Sequence, residues 1–312
     1  MRLNRPSKRW LALSLLSLLG GVPCLAAQTP VSLFVPGAID SSARYNMSPA
    51  FSPDGQTVFF TQADNNASAI VVSRFNNGHW SAPQTAPFSG HDRDLEPAFA
   101  PSGKFLIFAS NRPAAPGGPP LDGHYNGRTF PAAGGHLWKV ALRNHAWQKP
   151  QLLPASINLN DAVFSPAVAA DGSLYFMRAD DGGGVFHIYR SQFRKGHYET
   201  PVRESFSNTT YGDYDPAVAP DESFLIFSSP RPPAPHATDL FIVFRTATGW
   251  SDPLDLRSAL SVDVHGVEAR LSPDRKTLYF TGPRPASAGG DPNSRPILQV
   301  SIARLLASHR SS

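Results

Sequence analysis

The sequence reads SPAFSPDGQTVFF from Ser48 to Phe60, and the same pattern returns four more times. The later copies are EPAFAPSGKFLIF (Glu96–Phe108), SPAVAADGSLYF (Ser165–Phe176), DPAVAPDESFLIF (Asp215–Phe227) and EARLSPDRKTLYF (Glu268–Phe280). Each is a short apolar strand, a tight turn and a second apolar strand. One such unit cannot bury its own apolar faces, so a chain built from five must stack them against one another.

Each copy continues into a third apolar strand: AIVVSRF (69–75), LWKVAL (137–142), HIYRSQF (187–193), LFIVFR (240–245) and ILQVSIA (297–303). A tight turn follows, Asn76-Asn77-Gly78 in the first copy, and Asn-Gly suits a hairpin because both residues tolerate positive φ. A fourth segment then runs from an aromatic residue to a proline, as in Trp80 to Pro83 and Trp250 to Pro253. Four antiparallel strands make one β-propeller blade.

The fifth copy lacks a fourth segment of its own, and residues 304–312 read as a short, loose tail. A segment of the right kind, TPVSLFVP (29–36), stands instead before the first copy. The expectation is an all-β, five-bladed β-propeller over residues 28–303, closed by its N-terminal strand, since an open seam would expose strand edges. Six blades are the alternative, should the long insert after Pro113 hide a degenerate copy. In the turns, Glu222 and Arg275 replace the glycine of the first three copies, so those two turns are expected to differ in type.

Residues 1–27 form a separate unit. Arg2, Arg5, Lys8 and Arg9 precede an apolar run from Trp10 to Leu19, and Ala26 and Ala27 follow, in the form of a secretory signal peptide. The rival reading, an uncleaved anchor, needs a span of about 20 apolar residues, and this run is shorter. The formal charge of +4 comes from 28 basic and 24 acidic residues. Four of the basic residues lie in the leader, which leaves a neutral mature chain and no electrostatic case for nucleic acid. The single cysteine, Cys24, is also in the leader. The mature protein is therefore expected to be a periplasmic or secreted monomer without disulfides or a transmembrane segment.

The SPDG-type turn followed by an apolar strand, in tandem, resembles the WD40-like Pro-Asp repeat of the TolB-type propellers, over roughly Thr29 to Ala303. That resemblance implies an exported bacterial propeller of the binding or scaffolding kind. TolB itself has an additional N-terminal domain, of which the sequence gives no sign. Some relatives carry a hydrolase domain beside the propeller, but no G-x-S-x-G elbow occurs here. A few pectin-degrading lyases use such repeats, so the fold leaves catalysis open.

Strand order sorts the connections. The SPDG-type and Asn-Gly-type turns share one face of the disc, and the other carries every long connection: residues 113–135, 230–238 and 282–295. The first of these, rich in proline and glycine, is either disordered or a binding loop. On this wide face Glu96, Asp215 and Glu268 open the inner strands of three copies, Ser48 and Ser165 open the other two, and Asp94 and Asp213 stand two residues earlier. Carboxylates around one opening raise each other's pKa, or hold a polar ligand or a structural divalent cation. Otherwise they cap strands and pair with arginines. Arg112, Arg231 and Arg284 each follow the last Phe of the second strand by four residues. Recurrence in a repeat points to a structural tie such as an inter-blade salt bridge, and the functional alternative is a guanidinium ring for an anionic partner.

The histidines are scattered, without H-x-H or H-E-x-x-H, and no cofactor, metal ligand set or catalytic constellation can be assigned. Tyr45, Tyr125, Tyr211 and Tyr214 fall in or near wide-face loops, where they could stack on a sugar or grip a peptide. Two functions remain. The first is a non-enzymatic binding module for an envelope or periplasmic protein, peptide segment or saccharide. The second is a glycosidase or polysaccharide lyase using Glu96, Asp215 and Glu268.

Overall fold

A computed structural model describes residues 30–34, 39, 45–64, 67–207, 210–234 and 237–310. The leader lies outside these residues, and the N-terminal segment is described in part. Five antiparallel sheets stand around an axis, and their inner strands, Tyr45–Phe51, Asp94–Phe99, Val163–Val168, Tyr214–Val218 and Val267–Leu271, each pack against two neighbours in a closed ring. The six-blade alternative falls away because the insert after Pro113 forms a hairpin, Gly123–Tyr125 with Arg128–Phe130, rather than a blade.

The apolar runs make sense in this arrangement. A strand buried on both faces needs no polar alternation. Phe59 faces Leu106 and Phe108 of the second blade, whereas Val58 and Phe60 face Tyr279 and Ile297 of the fifth. The same division gives a separate apolar core between every pair of neighbouring blades. The aromatic that opens each fourth segment reaches back to the preceding blade: Trp147 meets Phe59 edge-on at 5.3 Å and Trp250 meets Phe206 at 6.0 Å. The fourth strands are short and interrupted, as in His79–Trp80 and Gln84–Thr85, with Pro83 in the gap. Proline removes a ladder donor, which an outer edge tolerates.

The ring closes through the N-terminal strand. Ser32–Leu33 pairs with Ile297–Ser301, Ser32 opposite Gln299 and Leu33 opposite Leu298, and Phe34 N–H donates to Ile297 O at 2.9 Å. Leu33 enters the core between blades four and five, and Phe34 the core between five and one.

Two local expectations are corrected. Where a loose tail was expected, Ala303–Arg310 forms a helix, with Leu305 and Leu306 against the core between blades four and five and His309 stacked on Phe244. Glu222 and Arg275 do not change their turn type. They hold φ of 54° and 63°, beside 70° at Gly55 and 72° at Gly103. Their side chains supply a compensation that glycine cannot. Glu222 Oε1 accepts from Tyr175 Oη at 2.6 Å and Arg190 Nε at 2.7 Å on blade three, and Arg275 pairs with Asp221 on blade four.

Candidate functional site: the wide mouth of the channel

Every inner strand carries a β-bulge at the same point. Register slips between Met47 and Ala50, Leu95 and Ala98, Phe164 and Ala167, Tyr214 and Ala217, and Val267 and Arg270. One residue in each bulge is left-handed: Ser48, Glu96, Ser165, Asp215 and Glu268, with φ between 46° and 59°. A proline follows in the first four copies, which suits a bulge where no ladder donor is needed.

The bulge residues join the blades in a circle. Ser48 Oγ donates to Glu268 Oε2 at 2.8 Å, and Glu268 N–H donates to Asp215 Oδ2 at 3.0 Å. Ser165 Oγ donates to Asp215 Oδ1 at 2.7 Å, and Ser165 N–H to Glu96 Oε2 at 2.6 Å. Glu96 N–H returns to blade one at Thr61 Oγ1, 2.8 Å away. Each neighbouring pair of blades is bridged, and the three carboxylates are the main acceptors. Glu96 is pushed up to about 8, first by burial and then by the charges of Glu268 and Asp215, with Ser165 N–H and Arg270 opposing. Glu268 is pushed up to about 7 by burial and Asp215, against Ser48 and Arg270. Among the described residues, no group of three or more His, Cys, Asp or Glu is placed to hold a metal ion.

Asp94 and Asp213 belong to a second, duplicated arrangement. Arg112 Nη2 meets Asp94 Oδ1, and Arg231 Nη2 meets Asp213 Oδ1, both at 2.6 Å and within one blade. Each Arg Nη2 also donates to the connection from the preceding blade, at Phe88 O or Phe206 O. Ser89 and Ser207 link each Asp to the third strand of that preceding blade through Ile70 N–H and Ile188 N–H. The inter-blade tie is therefore made by hydrogen bonds, and the salt bridge lies inside the blade. Burial pushes Asp94 above the usual carboxylate range, and the Arg112 charge opposes this only in part.

Arg284 does not repeat this unit: its Nε donates to Ser294 Oγ at 2.7 Å within its own loop. Blade three reverses the charges, with Asp180 where Arg112 and Arg231 stand, paired to Arg203 and to His187 Nε2. Ser207, His187 and Asp180 adjoin, but they make no nucleophile. The Ser207 hydroxyl donates to Asp213, and its side chain is fully buried.

Above the ring lies a cavity of about 210 Å³ lined by Met47, Arg93, Leu95, Glu96, Tyr125, Ala133, Phe164, Met177, Phe186 and Glu268. The long insert supplies part of its wall. Tyr125 stacks on Phe130 at 4.4 Å and approaches Phe186 at 5.2 Å. Asn126 and Gly127 N–H donate to Gly184 O and Gly183 O, and His124 pairs with Asp161. The insert is thus a folded part of the site. Tyr214 is half-buried beside Phe186, while Tyr45 and Tyr211 are exposed.

Sequence reasoning missed Arg270, which lies inside the channel on the side of the tight turns. The signal was present: the fifth copy reads E-A-R-L where the others read x-P-A-F/V, so arginine stands where Ala50, Ala98, Ala167 and Ala217 stand.

No family model matches the sequence, and no curated protein matches it. Solved structures match in fold. An α-L-arabinofuranosidase from Podospora anserina, solved in complex with cellotriose, is 12% identical at a TM-score of 0.50, over 88% of this chain and 94% of that one. TolB from Acinetobacter baumannii is 16% identical at a TM-score of 0.49 over 84% of this chain, which spans 56% of its length. A thermostable family-43 glycoside hydrolase is 12% identical at 0.48, over 83% of this chain and 88% of that one. Such distances speak to the fold alone.

Proposed function

We propose that this chain is an exported propeller of the TolB-like kind, acting without catalysis as a binding and scaffolding module for an envelope protein or peptide segment at its wide face. The closed circle of hydrogen bonds at the bulges carries this reading. It commits Glu96, Asp215 and Glu268 to joining blades, and so makes the disc a rigid base on which the cavity at Tyr125, Phe186 and Arg93 is held. An apolar side chain of a partner fits that wall, and a rigid base lowers the ordering cost of binding. The sequence resemblance to Pro-Asp repeat propellers and the leader support export, and no helix among the described residues is long and apolar enough to cross a membrane.

The test is a crosslinking pull-down of the mature protein from its native envelope, beside an Arg93→Glu variant. A partner held by the wild type and lost by the variant is expected. Absence of any partner, together with turnover of a small substrate, would overturn the reading.

One observation favours a second reading. Glu96 and Glu268 both line the cavity, and burial with the neighbouring carboxylate charges pushes both upward, the direction a general acid for glycoside cleavage needs. Saccharide release by the wild type that disappears in Glu96→Gln would establish it. Silence across a polysaccharide panel would dismiss it.

A further inference from the structure

The opposite end of the channel holds a site of different chemistry. All five blades contribute to a cavity of about 180 Å³ there, walled by prolines of the inner strands and turns and by Phe51 and Phe99. Among the described residues, Arg270 is the only charged side chain in this lining. It is 6% exposed, and its Nη1 donates to Ala269 O at 2.8 Å. Nε and Nη2, the two donors on one side of the guanidinium, are buried without a hydrogen-bond partner among the described residues.

Leaving two charged donors unmatched in an apolar wall is costly, and four of the five blades avoid that cost by placing alanine at the same point. Glu96 and Glu268 interact with the guanidinium through their charges, but they leave these two donors without an acceptor. Glu96, Asp215 and Glu268 are bonded into the circle at the bulges, and none reaches Nε or Nη2 within hydrogen-bond distance. Paired donors on one side of a guanidinium match the two oxygens of a carboxylate. Apart from Ser272, the other side chains of the lining are apolar and suit an acyl or aliphatic body.

We infer that the tight-turn mouth of the channel is a binding site for a single carboxylate carrying a small apolar body, held bidentately by Arg270 Nε and Nη2 with its body between Phe51, Phe99 and the surrounding prolines. Two sources share that chemistry: a free short-chain carboxylic acid, and the C-terminal carboxylate of a polypeptide ending in an aliphatic residue. The site lies on the face away from the wide-mouth cavity, so it stands or falls independently of the partner proposed there.

The experiment is isothermal titration and thermal shift of the mature protein in mildly acidic, chloride-free buffer with hexanoate, N-acetyl-leucine and N-acetyl-leucinamide. Saturable binding of hexanoate or N-acetyl-leucine, with a raised melting temperature and no response to the amide, is expected. Binding of both acids indicates a site open to free carboxylates, and binding of N-acetyl-leucine alone indicates a chain terminus. Arg270→Ala restores the residue of the other four blades and should weaken binding at least about tenfold. Arg270→Lys keeps the charge but not the fork and should weaken it too, which preserves the test if the alanine variant does not fold. No binding of either acid by the wild type, or equal binding by Arg270→Lys, would overturn the inference.

Discussion

Arg275 and Glu222 occupy the same left-handed turn position, yet their substitution should have opposite consequences. A side chain there costs roughly 1–2 kcal/mol of backbone strain relative to glycine. The Arg275–Asp221 pair joins a half-buried arginine to an exposed aspartate at the surface, and such pairs contribute little. Arg275→Gly is therefore expected to raise stability by up to about 1 kcal/mol in urea unfolding. Glu222 accepts from Tyr175 and from both Nε and Nη2 of Arg190 at the seam of blades three and four. Glu222→Gly should destabilise the fold, because three donors lose their acceptor. The buried pair Arg231–Asp213 should be more sensitive: Arg231→Met strands a carboxylate in the interior and should cost about 3–5 kcal/mol. Arg284→Met, at a recurring sequence position but within a loop, should cost well under that. Arg112, Arg231 and Arg284 look equivalent as letters. They separate because only the first two have an Asp at the start of their own inner strand.

At the scale of the element, the N-terminal strand and the insert decide most. Ser32–Leu33 completes the fifth sheet, and Leu33 and Phe34 fill cores on its two sides. Deleting residues 28–36 removes both and exposes the edge of Ile297–Ser301. The expected loss is roughly 10 °C or more in melting temperature; an unchanged midpoint in calorimetry would refute closure by this strand. The pairing was legible in sequence because the fifth copy lacked what the N-terminus supplied. The insert was not legible. Its proline and glycine composition matches disorder, and its order comes from bonds to Gly183, Gly184 and Asp161, which are far along the chain. Composition reports local preference and carries no trace of such contacts.

At the scale of the molecule, the channel couples fold stability to pH. Glu96 and Glu268 ordinarily titrate near 4.5 but reach about 8 and about 7 here. Between those values the folded chain keeps protons that the unfolded chain releases. The associated stability is full below about 4.5 and is lost as pH rises through 7 to 8. The melting temperature should fall across this window, and Glu96→Gln with Glu268→Gln should flatten the slope. Asp54, Asp221 and Asp274 are shifted downward by hydrogen bonds to their turns, so their contribution is lost only at lower pH.

The sequence by itself determined the blade, the number of blades and the strand that closes them, because these follow from patterns that recur every few tens of residues and from local turn chemistry. It also placed Glu96, Asp215 and Glu268 around one opening, since equivalent positions in a ring face one axis. What those acids do was decided only by tertiary structure. A bulge turns each into the left-handed region and aims it at the neighbouring blade, where Ser48, Ser165 and backbone N–H groups wait. Arg270 stands at the same limit. Its letter breaks the repeat in plain sight, but only the closed ring shows that the guanidinium is buried in the channel with two donors unmatched among the described residues. Burial and hydrogen-bond partnership arise between distant segments, so no local reading of the chain contains them.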